Sequence, residues 1–347
     1  MKAKKRGRLE SVILILATLV SVSAAVLLFL FYTTTGRKFT SKVVASYLHG
    51  AINYVSTESS GTPETKKDAE NGAAFPENRE EPEEKEKKAY HILLLGEEAI
   101  KSTPGKGRTD AILLVTVQVE KKVISVTSVL RDIYVEPEGV RPCKINSVYA
   151  TLGVKGLYDI FYEKLGIYPD GYLKVGFDSF EEIIDLLGGA EVTLTKEEAE
   201  YLNTHNYISE EKNRNVRPGT QVLNGNQTLG YCRVRFVPNI NGTKHDYGRT
   251  ERQRMVMENL FERYKEAGVM NWAKILKQVL GYVETDISEK TMEALIFAIY
   301  NNRITELEKY QFPAKGLYET PKAVGAVTSP IVVDWEANRT KFQETME

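Results

Sequence analysis

Residues 89–96 read AYHILLLG, an almost unbroken apolar run that stops at Gly96. A short run without alternation suits a strand buried on both faces, at the centre of a sheet with helices on either side. Working outward, AILLVTVQV (111–119) and KVISVTSVL (122–130) are two further strands, joined through Glu120 and Lys121 as a hairpin or short loop. GLYDIFYEKLG (156–166) has helical spacing and a closing glycine, and YLKVGF (172–177) reads as a strand. DSFEEIIDLLGG (178–189) reads as a helix opened by an Asp-Ser cap and ended by a glycine pair. EVTL (191–194) and TLGYCRVRF (228–236) complete the expected strands, and RTERQRMVMENLFERYKEA (249–267) is a long helix. The mixture predicts an α/β fold, a mixed central β-sheet flanked by helices in an α/β/α sandwich.

The N-terminal segments are of another kind. MKAKKRGR places five basic side chains ahead of residues 12–32, a run of 21 without charge. At 1.5 Å per residue such a run crosses a bilayer core of about 30 Å. It ends in Phe-Tyr followed by threonines instead of a small-residue cleavage site, so it reads as one uncleaved transmembrane signal-anchor. Three basic residues, Arg37, Lys38 and Lys42, follow it closely. The excess on the N-terminal side predicts a cytoplasmic segment 1–11 and an external domain, held at the cell membrane by a single pass. Residues 33–88 are expected to be a juxtamembrane stem and linker, with 38–55 either an amphipathic helix at the membrane surface or an extension of the anchor. From Ser56 to Lys88 almost no large apolar residue occurs, which predicts a disordered linker that gives the domain reach. The folded domain is expected at 89–347.

Charge narrows the function. The formal net charge is -1, with +7 in residues 1–56 and -4 in 57–88, which leaves the rest mildly acidic. Yet YCRVRFVPNINGTKHDYGRTERQRM (231–255) holds five arginines, Arg233, Arg235, Arg249, Arg252 and Arg254. Nucleic acid, a salt-bridge network and a phosphorylated substrate are the candidate partners. An acidic domain outside the membrane argues against nucleic acid and for a local anion site. The sequence lacks H-E-x-x-H, G-x-S-x-G and a Walker loop, and its four histidines, His49, His91, His205 and His245, form no metal pattern. Cys143 and Cys232 show no repeated spacing, and a bridge between them stays open.

Polar residues collect at element ends, where ligand sites of α/β folds form. Glu98 follows the first strand, Asp110 precedes the second, and Arg131 with Asp132 follows the third. On a strand, Arg233 and Arg235 share a face. Asp246, Arg249 and Gln253 straddle a loop and the start of a helix, whose N-terminus favours an anion. Asp132 reads as a structural partner for a neighbouring arginine, and Arg252 and Arg254 as surface groups or ligands.

The blocks GRTDAILLVTV, SVLRDIYV, KINSVYA, YLKVGFDSFEEIIDLLGGAEV, LNGNQTLGYCRVRF and DYGRTERQR stand in the order found in the LytR–CpsA–Psr family, which the chain resembles over about residues 90–256. A weaker likeness runs through YVETDIS (282–288) and IVVDWEANRTKFQ (331–343). The resemblance implies a phosphotransferase that moves a glycopolymer from an undecaprenyl-pyrophosphate carrier to a peptidoglycan sugar hydroxyl, with Mg2+ or Mn2+ as cofactor. It implies pyrophosphate binding by Arg131, Arg233, Arg235 and Arg249, with Gln253 near the lipid phosphate and Asp110 in the metal and catalytic site. It also implies an apolar tunnel for the prenyl chain. Glu98 stands where the family usually has aspartate as a metal ligand, and Ile100 where arginine is common. Asp246 is read as a proton acceptor or as the group that fixes Arg249. Two other functions stay open on the residues: hydrolysis of the same pyrophosphate, and non-catalytic binding of lipid or wall polymer.

Overall fold

The computed structural model describes residues 30, 32–55, 87–98, 107–264 and 269–346. Its strands in chain order are β1 (Asn53–Tyr54), β2 (Ala89–Glu98), β3 (Arg108–Gln118), β4 (Val123–Val129), β5 (Tyr134–Val135), β6 (Cys143–Lys144), β7 (Gly171–Gly176), β8 (Ala190–Leu194), β9 (Gly219–Leu223), β10 (Glu284–Thr285), β11 (Glu306–Phe312), β12 (Tyr318–Glu319), β13 (Ala323–Val324), β14 (Val327–Thr328) and β15 (Val332–Val333). The α-helices are α1 (Thr34–His49), α2 (Val148–Leu165), α3 (Phe177–Leu186), α4 (Lys196–Thr204), α5 (Gly225–Arg233), α6 (His245–Tyr264), α7 (Val269–Leu280), α8 (Glu289–Asn302) and α9 (Trp335–Met346).

Seven strands form the central sheet in the order β1-β10-β7-β2-β3-β4-β11. It is mixed: β2 runs parallel to β7 and antiparallel to β3, and β4 is parallel to β11. The apolar run of β2 serves both faces, as its lack of alternation predicts. Leu93 and Leu95 pack with Leu157 and Phe161 of α2 and Phe342 of α9, whereas Ile92 packs with Leu48 of α1 and Met292 of α8. Helices therefore cover both sides, and the three-layer arrangement is the one read from the sequence. A separate β8–β9 ribbon, with α3 to α6, encloses a second core of Ile184, Leu202, Leu223, Tyr231 and Val256.

Three local expectations are corrected. TLGYCRVRF is not a strand: its first six residues end α5, and Arg233 is the last residue of that helix. Asn224 accepts from Gln227 N–H while the Gln227 side chain accepts from Asn224 N–H, a reciprocal cap that starts the helix. Tertiary packing then favours it, because a Cβ at Gly225 would stand 2.1 Å from the Glu181 carbonyl oxygen of α3. The strand face shared by Arg233 and Arg235 therefore does not exist. Asp178 is not a cap either: α3 begins at Phe177 with Gly176 at its N-cap position, and Asp178 lies in the first turn. The long helix begins at His245, four residues before its expected start, so that Asp246 and Arg249 both belong to its first turns.

The N-terminal reading changes more. α1 lies within the stretch assigned to the stem, yet Val44, Ala45 and Leu48 are buried in the core shared with β2, α7 and α8. β1 then adds an edge strand through pairing with β10. Part of the expected stem is thus part of the folded body. Residues 12–29 and 31 of the expected anchor and 56–86 of the expected linker lie outside the described residues, as do Ile100 and the side chain of Glu98. Among the described residues no helix is long and apolar enough to cross a membrane.

Candidate anion and phosphoryl-transfer site

The site forms at one end of the sheet, where β2, β7 and β4 end and β3 begins. Ile112 pairs with Val129 in the β3–β4 ladder. Continuing that register by two residues brings Asp110 opposite Arg131, and the side chains meet: Arg131 Nη1 lies 2.9 Å from Asp110 Oδ1. α6 closes the cluster from above. Its first turns carry Asp246 and Arg249, at the i, i+3 spacing that makes helical neighbours. Arg249 Nη2 donates to Asp246 Oδ2 at 3.1 Å and lies 2.9 Å from Oδ1, and its Nη1 donates to the Asp110 carbonyl at 2.7 Å. Arg131 Nε is 3.5 Å from Asp246 Oδ1. Two arginines and two aspartates, drawn from β3, the end of β4 and α6, thus form one partly buried network.

Charge balance within it is uneven. Burial works against the Arg131 cation, but Asp110, Asp246 and Asp132 outweigh that effect and raise its pKa. Arg249 is buried more deeply; burial, aided by the nearby Arg131 charge, lowers its pKa despite Asp246. Both Nε–H groups, of Arg131 and of Arg249, are buried without a hydrogen-bond acceptor among the described residues, and Asp246 Oδ1, though ion-paired with both arginines, is buried without an aligned donor. Two unsatisfied guanidinium donors beside each other are costly unless an anion accepts from them.

Neighbouring residues hold this arrangement. Asn146, which the sequence reading missed, donates from Nδ2 to Asp110 Oδ1 at 3.3 Å. Its position in KINSVYA was the available signal. Asp132 pairs with Lys144 at 2.8 Å and lies 3.9 Å from Arg131 Nε, so it supports a cation of its own as well as the arginine it was expected to orient.

The remaining arginines divide by role. Arg233 stacks its guanidinium 4.8 Å from the Phe177 ring centre, at the point where β7 passes into α3. Arg235 lies in the segment between α5 and α6, 5.6 Å from the Phe236 ring, and its carbonyl accepts from His245 N–H. Gln253 Nε2 donates to the Cys232 carbonyl at 3.3 Å, tying α6 to α5. Arg233 thus ends α5, Arg235 follows it by two residues, and Gln253 lies one turn beyond Arg249 on α6. Arg252 is neither surface group nor ligand: it is fully buried and paired with Glu198 at 2.7 Å. Arg254 is also largely enclosed, with Nη1 buried and unpaired, and burial lowers its pKa.

Among the described residues no group of three or more His, Cys, Asp and Glu could hold a metal ion. Of the expected pair Glu98 and Asp110, only the Asp110 side chain is described. A hard cation that takes one protein carboxylate and completes its shell with phosphate oxygens and water fits that donor. Cys143 and Cys232 are both free thiols, which closes the question of a bridge.

The family model described as the LytR_cpsA_psr family matches residues 47–339. The chain belongs to the LytR–CpsA–Psr family. A relative named regulatory protein MsrR from Staphylococcus aureus is 33% identical over 231 residues, which is 66% of this chain and 65% of that protein. The polyisoprenyl-teichoic acid–peptidoglycan teichoic acid transferase TagV of Bacillus subtilis is 29% identical over 213 residues, 60% of this chain and 52% of TagV. The chain thus matches just under two thirds of the length of MsrR and about half that of TagV. Among solved structures, that of Bacillus subtilis TagV superposes with a TM-score of 0.54 at 25% identity, covering 75% of this chain and 97% of the other. TagT with bound octaprenyl pyrophosphate lipid has a TM-score of 0.53 at 21% identity, covering 75% of this chain and 91% of the other, and shares the fold.

Proposed function

We propose that this LytR–CpsA–Psr protein is a membrane-anchored phosphotransferase, facing the cell exterior, that moves a glycopolymer from an undecaprenyl-pyrophosphate carrier to a peptidoglycan sugar hydroxyl. The observation that carries the proposal is the pair of buried, acceptor-less Nε–H groups of Arg131 and Arg249 beside Asp110. The name of TagV, a teichoic acid transferase, and the polyprenyl pyrophosphate in TagT agree with it.

In the proposed reaction Arg131 and Arg249 donate to the pyrophosphate oxygens, with Arg233 and Arg235 reaching in from the flank. Guanidinium groups suit this task because they offer paired donors in a fixed plane and stay charged when buried. The acceptor hydroxyl oxygen attacks the phosphorus that bears the glycopolymer and forms a new P–O bond. The bond from that phosphorus to the bridging oxygen breaks, and undecaprenyl phosphate leaves with the bridging oxygen. The hydroxyl proton passes to Asp246 Oδ1, while Oδ2 of the same carboxylate keeps its bond to Arg249. Asp110, with Glu98 when its side chain is in reach, would hold Mg2+ or Mn2+, which supplies charge neutralisation on the phosphates.

The test is the full chain in lipid, supplied with magnesium, a polyprenyl-pyrophosphate-linked sugar and peptidoglycan oligomers, with products read by mass spectrometry. A phosphodiester-linked conjugate is the expected product. Sugar phosphate released without conjugate would replace transfer by hydrolysis, and lipid binding without any product would replace it by a non-catalytic role.

A further inference from the structure

Helix α1 has two apolar sides, and the described residues cover only one. The inner side, with Val44, Ala45 and Leu48, is buried against α7, α8 and β2. On the outer side Phe39, Val43 and Tyr47 follow one another at spacings of four, and are 58%, 53% and 45% exposed. Tyr54 on β1 and Tyr282 after α7 are also exposed, and β1 and the end of α7 are tied by the bond from Asn53 Nδ2 to the Gly281 carbonyl. Basic groups border this stripe: Lys38 and Lys42 are exposed on α1, and Lys277 Nζ stands 3.8 Å above the Tyr47 ring. A stripe of aromatic and aliphatic groups edged by lysines is the composition of a helix lying in a membrane interface. Anionic headgroups add attraction for the lysines.

Two features of the chain's path name the occupant. α1 starts at Thr34, directly after the uncharged run 12–32. The described residues on both sides of the segment from Ser56 to Glu86, by contrast, belong to one sheet. Val55 N–H bonds to the Thr285 carbonyl of β10, level with the middle of β2 and β3, and the Lys88 carbonyl accepts from Val119 N–H at the end of the sheet away from Asp110. β1 and β2 are three strands apart, or about 14 Å at the usual interstrand spacing. The domain has therefore already begun on the N-terminal side of residues 56–86.

We propose that the outer face of α1 is a membrane-docking surface, seated among anionic lipid headgroups, which fixes the height and tilt of the domain over the bilayer. The proposal rests on reading 12–32 as the anchor. It replaces the expected flexible stalk with a rigid contact: the catalytic end of the sheet is held at a set distance from the membrane that carries its lipid-linked donor.

The experiment uses the full chain reconstituted in phosphatidylglycerol–phosphatidylethanolamine vesicles whose acyl chains carry bromine, a short-range quencher of tryptophan. Phe39→Trp and Tyr47→Trp are compared with Tyr162→Trp, on the exposed side of α2 across the sheet, each against the parent chain's own emission. Bromolipid is expected to quench the added emission at 39 and 47 and to leave that at 162 unaffected. Flotation after an alkaline wash reports the anchor separately. A chain that floats but is quenched no more at 39 and 47 than at 162 overturns the docking face and leaves the anchor standing. A chain that does not float overturns the anchor, and the proposal with it. Cross-linking of Val43→Cys between two copies, with 39 and 47 unquenched, would assign the face to a dimer instead. Replacement of residues 57–86 by a Gly-Ser segment of about ten residues, long enough to span the separation of β1 and β2, is expected to leave all three signals unchanged, and a rise at 162 would contradict the rigid contact.

Discussion

Arg252 and Glu198 form an ion pair that solvent does not reach: Nε lies 2.7 Å from Oε1, and both side chains are 0% exposed. The other two nitrogens of Arg252 donate to the carbonyls of Val234 and Val237, at 3.1 and 3.0 Å. Glu198 in turn accepts from Thr195 N–H in the cap of α4. This pair fastens the segment that carries Arg235 to helices α4 and α6.

Replacing Arg252 with Met leaves Glu198 as a buried charge without its partner. The expected loss is about 3–5 kcal/mol of stability, read as a fall in the midpoint of denaturant unfolding. Arg252→Met combined with Glu198→Leu is expected to regain much of it, because no charge is then stranded. A single variant as stable as the parent would show that the pair is not closed to water.

Asp246→Asn keeps the shape of the side chain and an oxygen for Arg249 but removes the proposed proton acceptor. Turnover is expected to fall by about 10²–10⁴-fold, the usual worth of a general base. Binding of polyprenyl pyrophosphate, measured by titration, is expected to hold within a few fold. A parallel collapse of binding would make Asp246 a support for the two arginines and not a base.

Burial pushes the Cys232 thiol up to about 12, while Cys143 is half-buried and raised by burial more modestly. Since the thiolate is the reactive form, a thiol reagent at neutral pH is expected to modify Cys143 slowly and Cys232 only after denaturation. A reducing agent is expected to leave the unfolding midpoint unchanged. Rapid modification of both thiols in the folded chain would contradict this packing.

His91 on β2 has its pKa lowered by burial, with Lys87 adding to the shift and Asp170 opposing it. The folded state therefore holds the proton less well than the unfolded chain. Its contribution to stability is complete above the ordinary value of about 6.5 and is lost as pH falls through the lowered folded value. Unfolding midpoints should drop as pH falls from 7 to 5, and His91→Gln should flatten that slope. An unchanged slope in the variant would assign the acid sensitivity to other groups.

The sequence carries the sheet more openly than the site. AYHILLLG announces a central strand because both faces of β2 are covered, whereas the helical pairing of Asp246 with Arg249 stays hidden while the helix is expected to start only at Arg249. TLGYCRVRF misleads because its Tyr, Cys, Val and Phe favour a strand in isolation, whereas the Asn224–Gln227 cap and the fit of Gly225 on α3 decide for a helix. Arg252 misleads for a related reason: a charge on a helix is ordinarily solvated, and the residue that buries it is 54 positions away. The Asp110–Arg131 contact depends on the β3–β4 register, which no local pattern states. α1 was hidden by the polar stretch after it, which separates it in sequence from a core it joins in space.

The most direct measurement is the affinity of the full chain for octaprenyl pyrophosphate and for octaprenyl monophosphate, in the parent and in Arg131→Gln and Arg249→Gln. Losing one charge-assisted hydrogen bond is worth about 1.5–3 kcal/mol, or roughly 10–100-fold in affinity. Each variant is expected to weaken pyrophosphate binding by that factor and monophosphate binding by less, with the unfolding midpoint near that of the parent. Unchanged pyrophosphate affinity in both stably folded variants would contradict the assignment of the Asp110–Arg131–Asp246–Arg249 network as the seat of the anion.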